Sequence, residues 1–233
     1  MTSKNLGIYF DYFGTLIDSR AVLTKAWSTI AKCLGVEISP DDPRIFEGMQ
    51  KQHEESLRLE SLSLKTFEEN SEILNSIVLE NMGVDPNNSM SIVTEIFKQV
   101  FSTGSTFRLN PHCKETLEKI HSQDITIGLL SNASMELCEI SMKRLGIFEF
   151  FDLFVLSREE GFDKSHIELY QIALARMHKE NINKVFHVGD SRELDVIMAE
   201  QVGMIPILFD PYNLHPNEDV ITINDLFKII DYI

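Results

Sequence analysis

Asp11 is the first residue whose surroundings in the sequence indicate chemistry. It follows the apolar run Ile8–Phe10 and precedes a Tyr-Phe-Gly-Thr turn, so a strand would present its carboxylate at the carboxyl edge of a sheet. Open α/β folds place their reactive groups at that edge. A carboxylate held there can attack an electrophile and form a covalent intermediate. Phe13 stands two residues on, where a second acid would be well placed to move protons.

Three further segments carry polar residues at predicted strand ends or at a helix start. In these segments Ser131 and Asn132 follow an apolar run, Lys164 opens a helix, and Asp190 ends a strand five residues before Asp195. Taken alone, each segment is more typical of a turn or a helix cap than of a catalytic group. In a parallel sheet, however, strand ends lie side by side, so the four segments can converge on one crevice.

The elements that would position these residues alternate between short apolar runs and helical patterns. The predicted strands are Leu6–Phe10, Ile125–Leu130, Leu153–Leu156, Lys184–Val188 and Ile205–Phe209, and the helices between the later ones are Met135–Leu145, His166–Met177 and Glu193–Val202. This alternation predicts an α/β fold with a Rossmann-like parallel sheet and helices on both faces. Asn110-Pro111 is typical of an N-cap followed by proline at the first helical position.

The interval from about Arg20 to Ser105 behaves differently, because it lacks strand signals. Apolar stripes with helical spacing begin at Val22, Leu74 and Ile92. Three or four consecutive amphipathic helices predict a separate helical cap domain at 20–105, inserted into an α/β core domain made of 1–19 and 106–233. The alternative is that these helices simply cover the sheet.

Composition and charge exclude several classes of function. The chain has 21 Lys+Arg against 36 Asp+Glu, a formal net charge of -15, which is the wrong sign for gripping nucleic-acid phosphates and favours a bound divalent cation. The three cysteines lack metal spacing, and no stretch approaches the apolar length of a membrane span. A strand predicted so close to the first residue leaves no room for a secretory signal. We therefore expect a cytoplasmic protein with neither nucleic-acid nor membrane partners; its oligomeric state stays open.

Together the four segments resemble the motifs of the haloacid dehalogenase superfamily over nearly the whole chain. Phe-Asp-Tyr-Phe-Gly-Thr-Leu is similar to the first motif of that superfamily and Leu-Leu-Ser-Asn to the second. Lys164 is similar to the third, and Gly-Asp-Ser-Arg-Glu-Leu-Asp to the fourth. The helical insertion between the first two motifs resembles the most common cap class of the superfamily.

The resemblance implies a role for each candidate residue. Asp11 would be the nucleophile, and Ser131 and Lys164 would complete the catalytic set. The group that would surround the transferred phosphate consists of Gly14, Thr15, Ser131, Asn132 and Lys164. Asp11, the backbone carbonyl of Phe13 and Asp190 would bind Mg²⁺, with Asp195 supporting these ligands.

The chemistry of phosphoryl transfer agrees with these implied roles. The reaction needs positioning, donors for an anion and a cation that masks repulsion between an attacking carboxylate and a phosphate. Mg²⁺ prefers oxygen ligands and keeps several waters, so two carboxylates and a carbonyl suffice. The implied function is a Mg²⁺-dependent phosphatase that acts on a small phosphorylated metabolite through an aspartyl-phosphate at Asp11.

Phe13 departs from the pattern of the family phosphatases, which usually carry an aspartate there. That acid protonates the leaving alkoxide and later activates water, and such help is worth roughly 10²–10⁴-fold in rate. Metal-independent 2-haloacid dehalogenases of the superfamily resemble this chain in having an aromatic residue here, because a halide leaves without a proton. The acidic Asp190…Asp195 segment argues against that function, and so does Met49, which stands where those enzymes carry a cap arginine.

Two further alternatives stay open. Phosphonate-cleaving members also lack this acid and use a cap lysine, for which Lys51 is at a suitable distance along the chain, although a lone helix lysine is more often a solvated charge. Arg44 or Arg58 could likewise replace the dehalogenase arginine. Finally, loss of the acid at Phe13 is compatible with a binding or regulatory protein that kept the fold and lost most turnover.

Overall fold

The computed structural model describes residues 5–61, 70–215 and 219–233. The chain divides into two compact units, which we call the core unit (Met1–Ser19 with Phe107–Ile233) and the helical unit (Arg20–Thr106). None of the described helices is long and apolar enough to cross a membrane.

The elements follow one another in this order along the described chain. The strands are β1 (Leu6–Phe10), β2 (Thr126–Ser131), β3 (Leu153–Leu156), β4 (Lys184–Gly189), β5 (Ile205–Phe209) and β6 (Ile221–Ile223). The α-helices are α1 (Ser19–Cys33), α2 (Pro43–Ser61), α3 (Ser71–Asn81), α4 (Met90–Thr103), α5 (Cys113–His121), α6 (Met135–Leu145), α7 (Ser157–Glu160), α8 (Ile167–Lys179) and α9 (Met198–Gln201). Short 3₁₀ helices cover Phe148–Phe150 and Leu226–Asp231, and a π-helix covers Arg192–Ile197.

The core unit is built on one six-stranded sheet in the order β3-β2-β1-β4-β5-β6. Every neighbouring pair is parallel, which confirms the predicted α/β fold. Parallel sheets are covered on both faces, so their strands are apolar throughout rather than alternating. Ile8, Tyr9 and Phe10 in β1 are accordingly all fully buried.

The register of β1 with its neighbours determines which residues meet at the carboxyl edge of the sheet. Phe10 pairs with Leu129 of β2 on one side and with Val188 of β4 on the other. The backbone N–H of Asp11 continues the pairing by donating to the carbonyl of Val188 at 2.8 Å. Strand order reverses at β1, and open α/β sheets bind ligands at such a switch point.

The helical unit has a hydrophobic core of its own. Trp27 and Ile30 from α1 pack in one buried cluster with Ile45 from α2 and Val78 from α3, and the Trp27 ring meets the edge of Phe97 from α4 at 5.2 Å between centroids. Burial of these large side chains stabilises the four helices against one another. The expectation that this unit acts as a cap stays a prediction.

One predicted helix has a different form in the structure. The segment expected as a single α-helix over Glu193–Val202 starts as the π-helix Arg192–Ile197 and becomes α-helical only at Met198–Gln201. In the π-helical turn, the backbone N–H of Val196 donates to the carbonyl of Ser191 at 3.3 Å. Such widened turns are rare and frequently occur at functional sites.

Candidate active site

Asp11 lies at the end of β1, where a tight turn folds the chain back on itself. The N–H groups of Leu16 and Ile17 donate to the carbonyl of Tyr12 at 3.0 and 2.9 Å, and Gly14 N–H donates to Ile17 at 2.9 Å. Gly14 has φ +103°, a conformation that side chains of L-residues rarely adopt. The turn therefore depends on glycine here, and it leaves Asp11 only 6% exposed.

A buried amide holds this turn in place. Nδ2 of Asn110 donates to the carbonyls of Gly14 and Thr15 at 3.1 and 2.8 Å. The expectation that Asn110 caps a helix is wrong, because α5 begins only at Cys113, after His112 in a left-handed conformation. Asn-Pro has the same sequence signature in a cap and in this long-range contact, so the pair alone does not reveal the role.

Ser131 and Lys164 meet the same carboxylate oxygen of Asp11. Ser131 Oγ donates to Oδ1 at 2.9 Å, and Lys164 Nζ lies 2.9 Å from that atom. Both side chains are buried. Oδ1 of Asn132 accepts the backbone N–H of Lys164 at 2.8 Å, so Asn132 fixes the segment that carries the lysine.

Asp195 lies on the other side of Lys164. Its Oδ1 forms an ion pair with Lys164 Nζ and is 2.8 Å from His187 Nε2, while Oδ2 accepts the N–H of Ser191 at 2.9 Å. A Cβ at Gly189 would lie 2.0 Å from Asp195 Cγ. The widened turn and this glycine together bring Asp195 inward to 1% exposure.

His187 was expected to be a buried, hydrogen-bonded histidine, and the structure confirms this. The side chain is fully buried in β4, and the Tyr170 ring meets it edge-on at 5.5 Å between centroids. Its contact with Asp195 was not predicted. A polar residue in the middle of an otherwise apolar strand is the signal that could have revealed it, since buried polar groups require partners.

Asp190 completes a group of three carboxylates at the strand ends. Asp11, Asp190 and Asp195 can each offer one oxygen, with all three atoms within 4.8 Å of one another. A Cβ at Gly14 would lie 2.1 Å from Asp190 Oδ2, so the missing side chain at residue 14 leaves the space that this carboxylate occupies. The structure thus places together Asp11, Ser131, Lys164, Asp190 and Asp195.

The charges in this cluster are unevenly compensated. Burial raises the pKa of Asp11 although Lys164 acts in the opposite direction. Burial also opposes ionisation of Asp195, but Lys164 and His187 hold the pKa of that carboxyl below its usual range. For Asp190, burial and the charges of Asp11 and Asp195 raise the pKa to about 8. Negative charge around Asp190 is therefore insufficiently neutralised by the protein.

The donor set of this cluster fits Mg²⁺. Carboxylate oxygens are the ligands that hard divalent cations prefer, and a cation beside Asp190 would relieve the repulsion that raises its pKa. Both oxygens of Asp195 already have partners in Lys164, His187 and Ser191. Asp11 and Asp190 are therefore the carboxylates better placed to hold the metal, with Asp195 supporting the arrangement.

Two other predicted residues have their side chains in the protein interior. The Phe13 ring is half-buried and packs against Phe107, with centroids 5.7 Å apart. Thr15 is fully buried, and its hydroxyl has no hydrogen-bond partner among the described residues. A phosphate-binding role for Thr15 stays a prediction.

The cationic residues considered as cap substitutes have local partners within the helical unit. Lys51 Nζ lies 2.6 Å from Asn81 Oδ1. Arg44 pairs with Asp42 at 2.8 Å, and Arg58 pairs with Glu55 at 2.5 Å. These exposed pairs give none of the three cations a chemical environment that distinguishes it from an ordinary surface charge.

A family model described as haloacid dehalogenase-like hydrolase matches residues 7–203. This match covers most of the chain, including every segment of the site. The chain belongs to the haloacid dehalogenase-like hydrolases. Its resemblance to that superfamily, first seen in four short segments, is confirmed, and the protein is an enzyme of the hydrolase class.

Two curated members of the family are similar to this chain and are named as phosphatases. A ribulose-1,5-bisphosphate 5-phosphatase of Halopiger xanaduensis is 34% identical over 103 residues, 44% of this chain and 43% of that protein. A glyceraldehyde 3-phosphate phosphatase of Methanocaldococcus jannaschii is 28% identical over 184 residues, 72% of this chain and 80% of that protein. The chain thus spans less than half of the Halopiger relative.

Solved structures of family members share the fold. A HAD-hydrolase, YfnB from Bacillus subtilis, whose structure was described as bound to magnesium, matches with a TM-score of 0.72 at 15% identity, over 97% of both chains. The L-2-haloacid dehalogenase of Xanthobacter autotrophicus matches with a TM-score of 0.64 at 16% identity, over 96% of both chains. At these identities the similarity shows the fold alone.

Proposed function

We propose that this protein is a Mg²⁺-dependent phosphatase that hydrolyses a small phosphorylated metabolite through an aspartyl-phosphate on Asp11. The observation that carries this proposal is the meeting of Asp11, Asp190 and Asp195 around a single buried lysine, Lys164. Three carboxylates facing one cation leave an excess of negative charge that a divalent metal would balance. A dehalogenase, which needs no metal, has no use for that excess.

In the first step, an oxygen of Asp11 attacks phosphorus while the bond between phosphorus and the ester oxygen breaks. Ser131 and Lys164 would act on the transferred group, one as a hydrogen-bond donor and the other as a positive charge. Asp11, the carbonyl of Phe13 and Asp190 would hold Mg²⁺, which when bound would mask repulsion between carboxylate and phosphate. Asp195 would keep Lys164 in place.

In the second step, water attacks phosphorus and the bond to the Asp11 oxygen breaks. Inorganic phosphate leaves, and the Asp11 carboxylate is regenerated. Burial of the site removes competing water from the first step and strengthens the electrostatic contacts of Lys164 with the transferred group. Two chemical steps on one carboxylate thus amount to the hydrolysis of a phosphate ester.

The substrate class follows from the relatives and from the charge of the chain. The curated relatives are named for small phosphorylated sugars, and a net charge of -15 disfavours nucleic acids. We further propose that the helical unit, residues 20–105 of the sequence division, is a cap domain that selects the substrate. Its independent hydrophobic core supports a unit of that kind.

A second candidate function is supported by Phe13. An aromatic residue at this position suits a 2-haloacid dehalogenase, in which Asp11 would form an ester with the substrate carbon and expel halide. The acidic cluster at Asp190 weighs against this candidate. The two functions differ in metal requirement, because halide release would continue in excess chelator.

A substrate panel separates the two functions. Purified protein should release phosphate from aryl and small sugar phosphates when Mg²⁺ is present, and excess chelator should abolish the release. The same protein should release no chloride from 2-chloropropionate under either condition. Chloride release that is independent of metal would establish the dehalogenase, and folded protein that is inactive on the whole panel would leave a binding role.

A further inference from the structure

We propose that the site is specialised for phosphate compounds whose leaving group departs without receiving a proton. Acyl, enol and aryl phosphates belong to this class, whereas simple alkyl phosphates do not. The inference rests on the proposed function and narrows its substrate class. It follows from what occupies position 13 and from what the polar groups around Asp11 already contact.

The side chain two residues after Asp11 is held away from acid–base chemistry by its packing. The ring of Phe13 lies 5.7 Å from that of Phe107, and Tyr12 lies 6.2 Å from the same ring. Phe107 is 2% exposed, so this aromatic group is part of the core unit. Position 13 therefore offers a packed hydrocarbon surface at a place where a proton donor would be useful.

The other polar side chains at Asp11 are engaged in holding the site together. Ser131 donates to Asp11, and Lys164 bridges Asp11 and Asp195. Asp195 in turn contacts His187, and Asp190 is a proposed metal ligand. Among the described residues of the core unit, these contacts leave no side chain at the carboxylate cluster to protonate a leaving group.

The consequence appears when the electrons of the first step are followed. Attack by the Asp11 oxygen on phosphorus breaks the bond to the leaving oxygen, which departs with the electron pair as an oxyanion and takes a proton from solvent afterwards. A carboxylate or a phenolate does this readily, since the pKa values of the parent acids are about 4 and 10. An alkoxide does not, because its parent alcohol is about as weak an acid as water, with a pKa of about 15.7.

A leaving-group series tests the inference. We would measure kcat/KM with Mg²⁺ for acetyl phosphate, substituted phenyl phosphates and an alkyl phosphate, and plot its logarithm against leaving-group pKa. The wild type should give a steep negative slope. Phe13→Asp should flatten the slope by raising the alkyl-phosphate rate roughly 10²–10⁴-fold, with little change for acetyl phosphate.

Phe13→Asn is the matched control, since it removes the same ring and adds a polar group of the same size without an acid. It should keep the steep slope. If either variant fails to fold, as judged by thermal unfolding, the wild-type slope alone decides.

Two outcomes would overturn the inference while leaving the phosphatase intact. One is a shallow wild-type slope, which would mean that another group donates the proton. The other is a flattened slope for Phe13→Asn as well as for Phe13→Asp. Absence of Mg²⁺-dependent turnover on every compound, acetyl phosphate included, would instead contradict the proposed function itself.

Discussion

The carboxylate of Asp190 occupies the space beside Gly14 in which a side chain would otherwise lie. A Cβ at residue 14 would come within 2.1 Å of Asp190 Oδ2. The turn after the nucleophile strand and the loop after β4 therefore fit together only because residue 14 is glycine. Through this contact, the sequence Asp-Tyr-Phe-Gly determines the position of an acid almost 180 residues later in the chain.

Gly14→Ala should displace Asp190 and weaken metal binding. We expect Mg²⁺ affinity to fall roughly 10–100-fold, as when groups that orient metal ligands are lost. The strain of φ +103° should lower stability in addition. Isothermal titration calorimetry with Mg²⁺ and thermal unfolding measure the two effects.

Gly203→Ala is the control for backbone strain, because Gly203 has φ +84° with no atom within 4 Å of its Cβ position. It should cost roughly 1–2 kcal/mol of stability and leave Mg²⁺ affinity unchanged. Equal loss of metal affinity in both variants would contradict the proposed contact.

Lys164→Met should destabilise the protein most strongly near neutral pH. Removing one partner from a buried ion pair costs roughly 3–5 kcal/mol, because Asp11 and Asp195 would stay charged and buried without it. Chemical unfolding in excess chelator measures this loss without a contribution from metal.

The pH dependence of that loss has a definite sign. The pKa of Asp195 is lowered in the folded protein, so its contribution is present above the unfolded value of about 3.9 and is lost as pH falls through the folded value. Without Lys164 that contribution disappears. The gap in unfolding free energy between wild type and Lys164→Met should therefore narrow at acidic pH, and a constant gap would be inconsistent with the pairing.

His187→Leu should lower stability by removing the donor to Asp195. The contact is 2.8 Å and fully buried, and losing the donor to a buried carboxylate costs roughly 1–3 kcal/mol. His187→Gln retains an N–H donor and should recover part of the loss. Urea unfolding compares the two variants, and equal losses would mean that ring packing on Tyr170, not the hydrogen bond, is what matters.

Asn110→Asp should loosen the turn that follows the nucleophile. The substitution keeps the shape of the side chain but removes the donors to the carbonyls of Gly14 and Thr15. We expect a lower kcat together with a loss of roughly 1–3 kcal/mol in stability. Asn87→Asp, on an exposed turn of the helical unit, is the control and should leave kcat unchanged.

Much of the fold could be predicted from periodicity. The strands β1, β3 and β5 have the predicted bounds because their apolar runs end at polar or turn residues, and β2 and β4 each extend one residue further. The helix α2 had no predicted apolar stripe, since its buried face rests on few residues, such as Ile45 and Leu59. Helical periodicity weakens when a helix buries so little surface.

The site was predictable where a residue type and a strand end coincide. Asp11, Ser131 and Asp190 are of that kind, and parallel register brings them together. The contacts of Asn110 and His187 were not predictable, because each depends on a partner far along the chain or across a widened helical turn. The same holds for the space beside Gly14, which exists only in three dimensions.

The most direct test of the central claim is phosphate release from p-nitrophenyl phosphate by wild type and Asp11→Asn, each measured with Mg²⁺ and with excess chelator. The account predicts steady release by the wild type with Mg²⁺, none in chelator, and a loss of roughly 10⁴-fold or more in Asp11→Asn with its fold retained. Release that survives the substitution, or that is indifferent to the metal, would contradict an aspartyl-phosphate formed on Asp11 in a Mg²⁺ site.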